Sequence, residues 1–317
     1  MVPSCSQSDS DRIISTVVGR NNLNATDGGL ATCASLSAPA GLALDAGGNL
    51  YIADSGANRI YKVTHETYTG GPQPKPTLVT NGADYNALIA PSTWITIKGS
   101  DLAPNTRSWA DADFLNGLLP VQLDGVRVFV EGMPAYVSYV SYISPTQINA
   151  LVGAVSSWPG DPALIEILTP QGRSGPITVT GDSTWAPGLF RLPVEGNKYV
   201  IAQALDGTLI GRPGLVPGLI TRPARPGEML TIYGTGFGPT SPAVTPGTIP
   251  AAPTPVSGPV ELDADFGYLY PTWAGLIGPG LYQLNFKVPS VPDGDYRFQP
   301  RAGWSYGLYA WITIQSK

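Results

Sequence analysis

The chain has 317 residues, a net charge of −5, and only 13% charged residues against 43% hydrophobic ones. It carries no basic run, which argues against nucleic acid as a partner, because phosphate backbones are held by clustered Lys and Arg. Its 38 glycines and 32 prolines, set among so many aliphatic and aromatic side chains, argue against disorder and predict short strands joined by tight turns.

The N-terminus, MVPSCSQSDSD, is polar and acidic and lacks the basic and apolar regions of a secretory signal. Either export is absent or the true start is missing. No run approaches the ~20 apolar residues of a membrane span. The two cysteines, Cys5 and Cys33, lie near this end. A bridge between them is one reading in an oxidising compartment, but no disulfide framework holds the rest of the chain.

Residues 13–63 run from IISTVVG through a glycine-rich loop to LSAPAGLALDAGGNLYIADSGANRIYKV. The last part predicts strands at 41–45, 50–54 and 59–63, separated by Ala-Gly-Gly-Asn and Ser-Gly-Ala-Asn turns. This segment resembles one repeat of the NHL β-propeller family. One blade cannot close a ring of four to eight, so residues 1–65 are expected to be the terminal remnant of a longer array. Its uncovered face and unpaired edges then predict docking or self-association. Asp54 and Arg59 read as an intrablade ion pair. Residues 66–80, ETYTGGPQPKPTLVT, read as a Pro/Gly-rich linker running into the next strand.

An internal repeat follows. PSTWITIKGSDLAPNT from Pro91 aligns with PGEMLTIYGTGFGPTS from Pro226 at an offset of 135, and TQINALV from Thr146 with YQLNFKV from Tyr282 at 136. Alternating apolar positions in both copies, and runs spaced by turn signals, predict two Greek-key sandwiches at 81–185 and 226–317. Between them, 186–225 reads as a bridging β-hairpin segment, whose strands could pack on either sandwich or form a bridge. The motifs APGLF, DGTL, RPGEMLTIYGTGFGP, GLYQLNFKVP and VPDGDY resemble the C-terminal domain recurrent in Solibacter and other acidobacterial secreted proteins. That resemblance implies an immunoglobulin-like sandwich of the IPT/TIG type and a secreted setting. It supplies no activity. The expected fold is all-β: two tandem immunoglobulin-like β-sandwiches preceded by one NHL-like propeller-blade remnant.

Conventional catalytic signals are weak. The only histidine, His65, sits at the linker edge with no G-x-S-x-G elbow to serve, and one histidine with two cysteines does not make a zinc site. Gly234, Gly236 and Gly238 superficially suggest a dinucleotide loop, but the prolines that follow forbid the helix such a loop needs. They read as a bend or bulge after a strand. The carboxylate pairs Asp111/Asp113, Asp263/Asp265 and Asp293/Asp295 have spacing that can ligate calcium on a loop. Turn chemistry explains the last of them equally well.

Aromatic residues are the more suggestive set: Tyr136, Tyr139, Tyr142 and Trp158 in the first sandwich, and Tyr268, Tyr270, Trp273, Trp304, Tyr306, Tyr309 and Trp311 in the second. Rings on a β face can stack on sugars. Residues i and i+2 of a strand share a face, so Trp304 and Tyr306 are expected on one side, Tyr309 and Trp311 on the other. Three functions follow. The first is a non-catalytic extracellular surface, adhesion or scaffold module of a larger secreted protein. The second is polysaccharide or cell-surface glycan binding through Tyr268, Tyr270, Trp273, Trp304 and Tyr306. The third is a hydrolase with a carboxylate-based site between the sandwiches, with calcium at Asp263 and Asp265 as the one cofactor considered.

Overall fold

The computed structural model describes residues 31, 34–64, 68–114, 118–131, 133–137 (backbone), 143–153, 155 and 157–316. Cys5, Cys33, His65, Tyr139, Tyr142 and the Tyr136 side chain lie outside that set. The architecture is all-β, with short 3-10 turns at Asp111–Asp113 and Glu195–Asn197. Among the described residues no helix is long and apolar enough to cross a membrane.

Strands β1 (Pro39–Leu44), β2 (Leu50–Asp54) and β3 (Arg59–Val63) form a three-stranded antiparallel meander. Asp45 closes the first turn by accepting the Gly47 and Asn49 backbone N–H groups, as turn aspartates do. Asp54 lies in register with Arg59, but its carboxylate is taken up by the backbone N–H groups of Ser37, Ala38 and Ala57. The expected ion pair gives way because three fixed backbone donors at the strand end outcompete one flexible guanidinium.

The first sandwich contains β4 (Lys75–Asn81), β5 (Leu88–Ile89), β6 (Trp94–Ser100), β7 (Arg127–Val130), β8 (Met133–Val137), β9 (Gln147–Leu151), β10 (Pro162–Thr169), β11 (Gly172–Arg173) and β12 (Ile177–Gly181). One layer runs β4-β6-β9 and the other β7-β10-β12-β5. Strand β8 joins them, pairing with β7 at Ala135 and with β9 at Val137. Alternate side chains of both layers, such as Ile95, Ile97 and Ile148 facing Val128, Ile165 and Ile167, meet in one buried core. The segment read as a linker thus ends in β4, the edge strand of this sandwich.

The second sandwich contains β13 (Gly188–Leu189), β14 (Ala202–Ala204), β15 (Leu209–Ile210), β16 (Thr221–Arg222), β17 (Met229–Thr235), β18 (Thr254–Pro255), β19 (Val260–Ala264), β20 (Gly267–Leu269), β21 (Trp273–Gly278), β22 (Leu281–Lys287), β23 (Gly294–Ala302), β24 (Ser305–Tyr306) and β25 (Ala310–Ile314). An eight-stranded sheet runs β16-β15-β14-β17-β22-β21-β18, with β13 also on β17. A five-stranded sheet runs β20-β19-β23-β24, with β25 also on β23. Leu230, Ile232, Leu284 and Phe286 of the first sheet pack against Leu262, Phe298 and Ile312 of the second.

The repeat seen in sequence reappears as strand pairing. An offset of 135 carries β6 onto β17, and the registers match: Ile95 opposes Ala150 as Leu230 opposes Phe286. The same offset carries Ile89, paired in parallel with Gly181, onto Ala224, paired in parallel with Ile314. Residues 186–225 do not stand apart between the sandwiches. Their strand β14 pairs with β17 as β4 pairs with β6, so this segment serves the second copy as the linker end serves the first.

Candidate functional site

The aromatic residues of the second sandwich divide between two outer surfaces. On β23, Phe298, Pro300 and Ala302 are buried, so Arg297, Gln299 and Arg301 point outward from the five-stranded sheet. Cross-strand partners share a face, which places Asp263 beside Gln299 with Tyr268 on its far side, Glu261 and Tyr306 beside Arg301, and Trp311 beside Arg297. Each arginine lies against rings: Arg301 is 5.2 Å from the Tyr306 centroid, and Arg297 is 5.2 Å from Tyr309 and 5.9 Å from Trp311. Each also has its charge balanced, Arg301 by Glu261 and Arg297 by Asp265. Lys198 continues the row, 4.9 Å from the Tyr199 ring and 5.5 Å from Trp311. Tyr268 and Tyr306 are 56% and 39% exposed, and Tyr309 is 45% exposed. The face is therefore a mixture of exposed rings and neutralised ion pairs.

Tyr306, Tyr309 and Trp311 share this surface, against the expectation that the last two would turn away. The i, i+2 count fails because 304–311 is not one strand. The chain breaks at Gly307, whose N–H bonds Pro300 O, and β24 and β25 each pair separately with β23. Trp304, 75% exposed, sits at the tip of the β23–β24 turn, edge-on to Trp185 at 6.4 Å. Tyr270 is exposed just past β20. Trp273 lies elsewhere: on β21, Leu276 is in the core, so Trp273 faces out from the eight-stranded sheet, opposite Asn285.

Four of the six paired carboxylates are engaged in holding the structure. Asp265 accepts the Arg297 backbone N–H at 2.8 Å and its guanidinium at 2.9 Å, and the guanidinium holds its carboxyl below the usual range. Asp113 is gripped at both oxygens by Arg107, which lowers it to about 2. Asp293 accepts from Ser316, and Asp295 from the Tyr199 and Thr313 hydroxyls. Asp263 stands on the outer face beside Tyr268. Among the described residues no group of three or more His, Cys, Asp or Glu is placed to hold a metal ion.

Between the sandwiches the polar contacts are structural. Thr235, fully buried, accepts the Trp94 N–H at 2.9 Å and donates to Gly280 O at 2.8 Å. Asn81 donates to Ala186 O. Asp84 accepts the Leu308 N–H, and Asp182 accepts the Ser305 hydroxyl. Gly236 has φ +73°, and a Cβ there would lie 2.0 Å from Ala186 O. The glycines of YGTGFGP thus do more than bend the chain after β17: Gly236 lets two backbones touch at the junction. Beside it lies a cleft of about 490 Å³ whose described lining includes no carboxylate, whereas Asp263 and Asp265 belong to the outer face. Sequence reasoning expected a carboxylate-based groove between the sandwiches but did not identify the residues that hold or line the junction, for which the one available signal was the recurrence of glycine beside the strands where the two copies align.

Residues 36–62 match the NHL repeat family. No curated protein matches the chain. Similar solved structures include the Bacteroides ovatus mixed-linkage glucan utilization locus protein SGBP-B in complex with a mixed-linkage heptasaccharide. It is 11% identical over 92% of this chain and 56% of that chain, with a TM-score of 0.33. Others are domains 4 and 5 of the S-layer protein SbsC (9% identity, 76% and 98% coverage, TM-score 0.18) and the BSP domain of a biofilm associated protein (12%, 86% and 45%, TM-score 0.23). The chain spans just over half the length of the first of these.

Proposed function

We propose that this chain is a non-catalytic extracellular surface module, in which two docked sandwiches present the outer face of the five-stranded sheet to a neutral polysaccharide. The observation that carries the reading is the row on β23, where Arg297 and Arg301 lie against Tyr309, Trp311 and Tyr306 with their charges already matched. Rings offer apolar faces to sugar C–H groups, and neutralised ion pairs offer donors and acceptors to hydroxyls without selecting a charged ligand. Tyr268 and Tyr306 stand three strand spacings apart, about 14 Å, which suits a short run of sugar rings better than a single one. Self-association through the N-terminal sheet, where Leu42, Leu44 and Ile60 are each more than 70% exposed, belongs to the same proposal.

Pull-down on insoluble neutral glucans and xylans tests the binding face. The full chain is expected to be retained, the Tyr268→Ala/Tyr306→Ala pair to lose at least tenfold in affinity, and Trp273→Ala, on the other surface, to bind normally. Loss on Trp273→Ala with the tyrosine pair unaffected would move the site to the eight-stranded sheet, and retention on no glycan would leave only the scaffold role.

A further inference from the structure

We infer that the cleft at the junction of the two sandwiches is a binding site for a small, uncharged, mostly apolar ring compound, distinct from the outer face. Its floor is the outer surface of β6 and β9, where Trp94, Thr96 and Asn149 point away from the first core. One wall comes from the connection after β6: Trp109 lies 6.4 Å from Trp94, and Phe114 lies 5.0 Å from Trp109. The opposite wall comes from the second sandwich, through Phe190, the Gly278–Leu281 turn and Ile249. At about 490 Å³ the cleft falls within the range of ligand pockets.

The lining selects the ligand class. The described residues around the cleft include no Asp, Glu, Lys, Arg or His. A charged ligand would lose its hydration with no counter-charge to replace it. Apart from the indole N–H groups of Trp94 and Trp109, Thr96 and Asn149 are the polar side chains of the described lining, and Asn149 already accepts from Gln147 at 3.0 Å. A sugar would leave several hydroxyls unpaired there, each losing its hydrogen bonds to water without replacement. Four aromatic rings with Pro279, Leu119 and Leu281 instead match a flat apolar body, with Asn149 and Thr96 left to orient one polar edge. Because both sandwiches contribute walls, such a ligand would also brace the junction.

N-phenyl-1-naphthylamine, a neutral dye that brightens in apolar surroundings, is the probe. Titrated into the full chain it should give a saturable blue-shifted emission. Gly278→Phe fills the cleft from a position where a Cβ meets nothing nearer than 3.7 Å. Asn149→Asp places a charge in it while keeping the acceptor for Gln147. Each variant is expected to weaken dye binding at least tenfold, with thermal unfolding confirming that both remain folded. Tyr306→Ala should bind the dye normally, so that failure here and failure of the glycan reading are separable. No saturable emission, or binding by both variants as tight as that of the unsubstituted chain, would overturn the inference. So would displacement of the dye by neutral oligosaccharides, which would make the cleft a sugar site.

Discussion

At the residue scale, Asp84 shows how the junction is held and what it costs. Its carboxyl reaches from the first sandwich to the Leu308 N–H of the second, and burial pushes its pKa up despite that bond, the Asn86 N–H and nearby Arg191. A carboxyl raised in the folded state stabilises the fold fully below its unfolded pKa, and that contribution is lost as pH rises through the folded value. Asp84→Asn keeps an acceptor for Leu308 but carries no charge. The variant should therefore gain stability relative to the wild-type chain as pH rises from the acid range to neutrality, read from urea midpoints at a series of pH values. A constant difference across the series would show that ionisation of Asp84 is immaterial.

At the element scale, the turn joining β21 to β22 reaches across to the first sandwich. Gly280 has φ +62°, and a Cβ there would lie 2.3 Å from Leu151 Cδ1 and 3.1 Å from Ser92 O. Gly280→Ala should cost about 2–5 kcal/mol, combining left-handed strain with overpacking, measured by urea unfolding. A cost below 1 kcal/mol would mean that the turn can lift away freely. Most strands were legible from sequence, because alternation on β17 and β22 follows burial directly, β6 and β10 are short apolar runs buried on both faces, and a repeated motif doubles the signal. The candidate site was legible only in part. Tyr268 and Tyr306 follow from composition, but their union with Arg297, Arg301 and Trp311 depends on strand order, and on the break at Gly307, which no local pattern encodes. The partner of strand β14 stayed open for the same reason: three residues pair with a strand about thirty positions away, and only the fold reveals that partner.

At the scale of the whole molecule, the N-terminal sheet differs from the rest. Every residue of β1 is exposed, whereas the two sandwiches bury continuous cores and share a hydrogen-bonded junction. A sheet whose edges have no strand partner among the described residues, and whose apolar surface is open to water, is prone to pair with others. Light scattering is expected to show concentration-dependent association of the full chain and a monomer for a version starting at Tyr68, which keeps β4. Equal sizes at all concentrations would remove the blade from consideration. The pairing of β14 with β17 and of β4 with β6 carries a further consequence. Each copy takes the strand flanking its motif from the stretch that precedes it, so the structural unit is longer than the signature that advertises it. A cut placed where the signature begins, at Pro226, would sever that strand and leave the remainder with a raw flank.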